Sequence, residues 1–468
     1  MGGEVKVVML PFLAFGHLIP FHHLATALAK AGVHVIFVST PNNIRRLPKL
    51  PQEIVNMIEF IQFPLPESPS GELLVGAEAT VDLPYDQIQH LKSAYDLLVQ
   101  PCRSLVADRS PNWIIADVIP HWAADVARDL DIPLILFNVF TAATLVFLGP
   151  PEYLTGDGQK TYRSLPESFE APPRWVDFPS SVAFRNHEAV AVHAGLYGKN
   201  ASGIADAQRL AKLLQASQAI AVRSCKEIEN EYLNLYVKIT NKPVIPVGLL
   251  LPDDQSEKRE ITDEKWIEIF KWLDEQAPKS VVFVGFGSEL KLTREQIHEI
   301  AYGLELSEVS FLWALRETTW ATDGNDLLPL GFNHRTSEKG RVCIGWAPQR
   351  EILAHPSIGG TLFHSGWGTI MEALMHGHRL IAMPFILDQG LNARLLVDKG
   401  LAIEVEREED GSFNRNGVAQ CLRRAMEGAE GERLKVRAEE AAAIFSDRKL
   451  QDQYVADFVD YLRKGPRK

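Results

Sequence analysis

"GGTLFHSGWGTIMEALMHG", residues 359–377, joins two patterns of different period. A short apolar run ending at His364 passes through Ser365, Gly366, Trp367, Gly368 and Thr369 into a helical pattern that closes at Gly377. A strand that turns directly into a helix is the repeating unit of a doubly wound parallel sheet. The question is whether that unit recurs.

It recurs through both halves of the chain. "VKVVMLPF", "VHVIFVST", "MIEFIQF", "NWIIAD" and "PLILFN" are unbroken β-branched runs, separated by helices expected over Ile19–Ala31 and Asp86–Asp108 and over "HWAADVARDL". Runs of this kind, without alternation, belong to parallel strands covered on both faces. After "AIAVRSC" and "KPVIPVG" the segment 249–263 is polar and poorly periodic, and is expected to link two domains. The pattern then restarts with "SVVFVGFGS", "FLWALR", "RVCIGW", "GGTLFH", "RLIAMPF" and "LAIEVE", with helices expected over Thr293–Leu306, Gly368–Gly377 and Asn392–Lys399. The reading is α/β: two Rossmann-like doubly wound domains facing across a cleft, residues 1–248 and 264–450, with a C-terminal helix over 451–468 packing back on the first. The Pro-rich stretch from Leu148 to Glu188 is expected to form long loops over the first domain.

Bulk properties narrow the class. At 468 residues the chain exceeds one ordinary core, and 46% hydrophobic with 23% charged residues is the composition of a soluble globular protein. A net charge of −12 disfavours nucleic acid or an anionic membrane as partner, so an anionic ligand has to be held locally. Four scattered cysteines, Cys102, Cys225, Cys343 and Cys421, make neither a metal-spaced pair nor a disulfide ladder. The N-terminal apolar run holds Glu4, Lys6 and Pro11 and leads to no small-residue cleavage site, so it reads as a first strand rather than a secretory signal. Lys6 also stands where a myristoylation signal carries Ser or Thr. A cytoplasmic chain with no membrane span is expected.

Ligands of open α/β sheets bind beyond the carboxyl ends of the strands, where strand order reverses. "PFLAFGHLIP" follows strand 1 and "NWIIAD" ends strand 4, so His17 and Asp117 are expected side by side at that crevice. An imidazole oriented by a buried carboxylate is a general base near neutral pH. From spacing alone the alternative stays open, in which His17 only starts a helix and Asp117 caps the next one. Nearby His22, His23 and His121 read as structural or acceptor-lining residues.

In the opening stretch, Gly366 and Gly368 let backbone N–H groups approach a ligand, and the helix that follows points its positive end at the same place. His364 and the Thr369 hydroxyl add donors for an anion, and Glu372 can accept from a diol. The alternative is a tight turn with glycines for packing. Gly285, Gly287 and Ser288 close the first strand of the second half, and Asp388 with Gln389 opens the helix after "RLIAMPF", as an N-cap or as a sugar-holding pair. No G-x-G-x-x-G follows either first strand, which counts against a nicotinamide dehydrogenase.

The residues from Trp346 to Gln389 resemble the signature box of the plant UDP-dependent glycosyltransferases, W-x-P-Q-x-x-x-L-x-H…G…H-C-G-W-N-S-x-x-E…G…P…D-Q. Trp346, Pro348, Gln349, Leu353, His355, Gly359, His364, Gly366, Trp367, Glu372, Gly377, Pro384, Asp388 and Gln389 keep its spacing, and "GHLIP", "GFGSE" and "FLWALR" extend the likeness over the chain. The resemblance implies the GT-B type of fold, with the nucleotide sugar mostly on the second domain and the acceptor on the first. It implies that Trp346 stacks on uracil, Ala347 meets its edge through backbone groups, and Gln349 and Glu372 hold the ribose. Ser288, His364, the Gly368 backbone N–H and Thr369 are implied for the pyrophosphate. Trp367, Asp388 and Gln389 are implied for the sugar, with Thr141 as a further candidate. His17 becomes the base and Asp117 its partner, in a displacement with inversion that needs no metal and no cofactor beyond the UDP-sugar.

Three positions depart from the box: Ser365, Gly368 and Thr369 stand where the family carries Cys, Asn and Ser, and Phe385 stands where many members carry Trp. With "STPNNIRRLPKL" and "HWAA", these features look most like the branch that adds sugar to existing terpenoid or flavonoid glycosides. The resemblance implies UDP-glucose as donor. UDP-rhamnose, or an aglycone acceptor, is the alternative within the family. An oxidoreductase or an inactive sugar-nucleotide-binding protein is the alternative outside it. A monomer is expected.

Overall fold

Each apolar run becomes a strand. A computed structural model of the chain describes residues 4–67, 71–155, 163–251, 261–318, 320 and 327–465. The first sheet contains β1 (Lys6–Leu10), β2 (His34–Ser39), β3 (Ile58–Gln62), β4 (Trp113–Ala116), β5 (Leu134–Asn138), β6 (Ala219–Val222) and β7 (Val244–Pro246). The second contains β8 (Val281–Gly285), β9 (Ser310–Leu315), β10 (Gly340–Ile344), β11 (Ile358–Phe363), β12 (Arg379–Ala382) and β13 (Ala402–Glu404). Their orders are β3-β2-β1-β4-β5-β6-β7 and β10-β9-β8-β11-β12-β13. Every pairing is parallel. Both sheets therefore reverse beside their first strand, β1 against β4 and β8 against β11, and both reversals open a crevice at the carboxyl ends. This is the two-domain α/β architecture that the periodicity predicts.

Several boundaries differ from the sequence expectation. The first helix starts at Phe15 rather than Ile19, so His17 lies in its first turn. The helix expected over Asp86–Asp108 is two, Ile88–Asp96 and Val99–Arg109, with Pro101, which has no N–H to give, placed in the first turn of the second, where it is best tolerated. Of the Leu148–Glu188 loops, Pro151–Thr155 and Pro166–Phe169 are helical turns, and a longer helix starts at Asn186. Residues 156–162 lie outside the described residues, as do 252–260 of the expected 249–263 linker.

The head of that linker is not a loose tether. Leu249 and Leu250 are buried, and the Leu249 N–H donates to Gln451 Oε1 at 2.8 Å. The last helix, Arg448–Lys464, starts three residues before the expected 451 and sets Phe458, Val459 and Leu462 into the core of the first sheet. There the Trp113 indole donates to the Leu462 carbonyl at 3.0 Å. Two further contacts carry the hydrophobic core across the cleft. Leu391 and Leu395, from the helix Gln389–Asp398, join the cluster of Ala142 and Val146 from the helix Ala142–Leu148, and Trp367 packs with Cys225 and Ile228. The four cysteines are buried free thiols. No helix among the described residues is long and apolar enough to cross a membrane.

Candidate active site

At the first reversal Leu10 pairs with Ala116, so the residues after them leave the sheet side by side. Asp117 is wholly buried. Its carboxylate accepts the N–H of Phe12 at 2.8 Å and of Val118 at 2.7 Å, and His17 Nδ1 lies 2.9 and 3.0 Å from its two oxygens. A carboxylate can only accept here, so Nδ1 donates and the lone pair sits on Nε2. The reading of Asp117 as the cap of the following helix fails, since that helix starts at Ala123 behind Trp122.

Burial presses the His17 pKa down, but the charge and hydrogen bond of Asp117, helped by Asp388 and Glu289, displace it upward overall. Asp388 and Glu289 follow strands of the second sheet, so both halves of the molecule act on this imidazole. Phe12 and Phe140 meet its ring edge-on, at centroid distances of 5.7 and 5.4 Å. His22 is buried and pushed down to about 4. Burial likewise holds His23 well below the ordinary value, and His121 sits 2.9 Å from Arg209. These three are structural neighbours.

At the second reversal Gly285 pairs with Phe363, which puts the turn after β8 against His364. A Cβ added at Gly287 would fall 2.8 Å from His364 Cε1, and one at Gly366 2.5 Å from Nε2. The imidazole occupies a slot that two glycines leave open. Burial pushes its pKa down to about 4 against the opposing Gly285 carbonyl, so the ring is neutral at pH 7 and has an N–H to donate. Ser365 is left-handed at φ 65°, an uncommon conformation for a residue with a side chain. Gly366 then caps the helix Trp367–Met375 without a side-chain bond, which leaves the first-turn N–H groups of Trp367, Gly368 and Thr369 to a ligand. Ser288 is half-buried beside Gly287. Gly366→Ala should displace His364, cost about 1–3 kcal/mol of stability, as overpacking usually does, and weaken UDP binding. Calorimetric titration with UDP measures this; unchanged affinity would show that the slot does not matter.

Trp346 is 56% exposed, an unusual setting for an indole and a suitable one for a stacking surface. Three residues on, the Gln349 N–H donates to the Ala347 carbonyl at 2.9 Å, and Gln349 Nε2 donates to Glu372 Oε2 at 2.8 Å. Burial raises the Glu372 pKa, opposed by that amide and by Arg223 and Arg350. One carboxylate oxygen is thereby held, and the other is available to a diol.

Three of the expected sugar residues have polar atoms that are already in use. The Trp367 side chain is 5% exposed, and its indole N–H donates to the Arg223 carbonyl at 2.9 Å, so it belongs to the inter-domain core and only its backbone N–H faces the turn. Gln389 Oε1 accepts the N–H groups of Phe385 and Ile386, each at 3.0 Å, which leaves its Nε2 as the group able to meet a sugar. Thr141 is wholly buried and caps the helix Ala142–Leu148 by accepting the Thr144 N–H at 3.1 Å; its hydroxyl also reaches Asn392 at 3.3 Å. Two polar residues at the cleft escaped the sequence reading. Asn392 donates to Asp388 at 2.8 Å, and Glu289 accepts the Thr80 hydroxyl at 2.7 Å across the two halves. Asn392 lies one turn beyond Asp388, and Glu289 closes the quoted "GFGSE", so both were within reach. Among the described residues no group of three or more His, Cys, Asp or Glu side chains is gathered as a metal site.

Two oriented crevices, one with a carboxylate-held imidazole and one with an open helix N-terminus, make an arrangement suited to group transfer with an anionic leaving group. Comparison with known proteins identifies the family. The family described as UDP-glucoronosyl and UDP-glucosyl transferase matches residues 258–433, and the glycosyltransferase N-terminal domain matches 3–131. UDP-glycosyltransferase 91C1 of Arabidopsis thaliana is 40% identical over 98% of this chain and 96% of its own. Soyasaponin III rhamnosyltransferase of Glycine max is 38% identical over 98% and 96%. In fold, the chain superposes on a solved Glycyrrhiza uralensis glycosyltransferase with a TM-score of 0.79 at 22% identity, covering 99% of this chain and 96% of the other. The chain belongs to the plant family 1 UDP-glycosyltransferases. It is an enzyme that moves a sugar from a UDP-sugar to a small-molecule acceptor.

Proposed function

We propose that this enzyme transfers glucose from UDP-glucose, with inversion and without a metal, to a sugar hydroxyl of a terpenoid or flavonoid glycoside. The observation that carries the reading is His17, tied through Nδ1 to a buried carboxylate and acted on by Asp388 and Glu289 from the other half. Its Nε2 takes the proton of the acceptor hydroxyl as that oxygen attacks the anomeric carbon. The bond from that carbon to the β-phosphate oxygen breaks, and UDP leaves. The negative charge that grows on the leaving oxygen is met by the neutral His364 N–H and the N–H groups that open the helix Trp367–Met375, where preorganised donors count most. Trp346 and Ala347 take the uracil, Gln349 and Glu372 the ribose, Ser288 and Thr369 the diphosphate, and Asp388 with Gln389 Nε2 the sugar. Residues 1–248 hold the acceptor, and 264–450 the donor.

A rhamnosyl donor is the second reading, favoured by the relative named soyasaponin III rhamnosyltransferase. Incubation with UDP-glucose, UDP-rhamnose and a panel of aglycones and glycosides, read by product mass, separates the two. A hexose gain on glycosides is expected. A deoxyhexose gain overturns the donor assignment, and turnover of aglycones alone overturns the acceptor assignment.

Gly368 is where donor affinity is open to change. A Cβ there meets nothing within 4 Å, and its backbone is helical, so Gly368→Asn adds the family's amide without a clash. The expected result is a folded enzyme whose KM for UDP-glucose falls by about 2- to 12-fold, the equivalent of one hydrogen bond of about 0.5–1.5 kcal/mol. An unchanged KM would remove position 368 from donor binding.

A further inference from the structure

We infer that Asn392 is a positioning residue that locks the sugar-holding carboxylate of Asp388 to the turn receiving the diphosphate, and thereby places the sugar over His17. The inference rests on the reading of Asp388 as a sugar ligand. Asn392 is wholly buried, and its carboxamide is used at both ends. Nδ2 donates to Asp388 Oδ2 at 2.8 Å and to the Ser365 carbonyl at 3.1 Å, while Oδ1 accepts the Thr141 hydroxyl at 3.3 Å.

The three partners come from three parts of the cleft. Ser365 is the left-handed residue that aims His364 and the helix N-terminus. Asp388 precedes the first turn of Asn392's own helix, and Thr141 opens a helix of the acceptor half. The turn is already held by the His364 imidazole packed against Gly287 and Gly366, so its Ser365 carbonyl serves as the fixed point from which Nδ2 holds Asp388. Burial raises the Asp388 pKa and the Asn392 amide opposes that rise, so the same N–H favours the charged carboxylate and fixes the way it faces. An aspartate in this place would set an oxygen against two other oxygens.

The test uses the full-length enzyme and the isosteric Asn392→Asp, with Asn392→Ala as a second variant and thermal unfolding as the check of folding. Affinities for UDP and for UDP-glucose are measured by calorimetry without acceptor, and kcat is measured with it. The expected result is a selective loss. Affinity for UDP falls by about threefold or less, while affinity for UDP-glucose falls by about 10- to 100-fold, the range for a lost hydrogen bond to a charged group, and kcat falls with it. A role in folding alone would not move the ratio of the two affinities. A ratio unchanged in a folded variant overturns the inference, whether both affinities drop or neither does. Failure of both variants to fold also overturns it, because Asn392 would then be a core element of the fold. Wild-type enzyme that binds UDP but not UDP-glucose would instead overturn the sugar-site reading beneath it.

Discussion

His17→Ala is expected to reduce transfer by roughly 10³–10⁴-fold, toward the upper end of what a general base contributes, while UDP affinity stays within a few fold. The separation follows from geometry. His17 follows β1 in the acceptor half, whereas Trp346, Gln349, Glu372 and the helix N-terminus after β11 hold the nucleotide without it. Alanine at 17 also leaves Asp117 with its two backbone donors, Phe12 and Val118, so the carboxylate is not orphaned and the fold should survive. Product formation under saturating UDP-glucose, beside calorimetric binding of UDP, reads both halves of the claim. Retained turnover would remove His17 as the base, and lost UDP binding would make it part of the donor site.

Asp117→Asn is expected to lower kcat by about 10²–10³-fold and to shift the pH profile. The base works only as neutral imidazole, so kcat/KM falls as pH drops through the His17 pKa. Burial alone would place that pKa below 6.5, and the Asp117 charge carries it above. With asparagine the burial remains and the charge goes, so the acidic limb must move to lower pH even as the maximum rate falls. Asparagine can also turn its N–H₂ toward Nδ1, which would leave the proton on Nε2 and the ring unable to act as a base. A limb that stays where it is in the wild type would mean that some other group is being titrated.

Much of this site is legible in the order of residues because parallel strands buried on both faces appear as unbroken apolar runs. Once β1 and β4 are recognised as neighbours, His17 and Asp117 have to approach each other, and the 2.9 Å contact follows from the register Leu10 to Ala116. The turn at His364 is equally local: strand, left-handed residue, glycine and helix lie within a few positions. Helix limits were less legible, as where one expected helix divides into Ile88–Asp96 and Val99–Arg109 with Pro101 in the first turn of the second.

What only the tertiary structure decided is which polar atoms are already in use. Trp367, Gln389 and Thr141 have side chains suited to a sugar, yet the Trp367 indole is held by the Arg223 carbonyl, Gln389 Oε1 by the loop at Phe385 and Ile386, and Thr141 by Thr144 and Asn392. Asn392 carries no recognised motif and yet touches three functional segments. The amino-acid sequence by itself determined the two α/β domains, the reversals where ligands bind and the kinds of groups found there, because burial periodicity and turn chemistry are local. A side chain has few donors and acceptors, and burial requires them to be matched by whatever packs against them. Those partners come from far along the chain, so the division of labour among polar residues emerges only when the two halves close on each other.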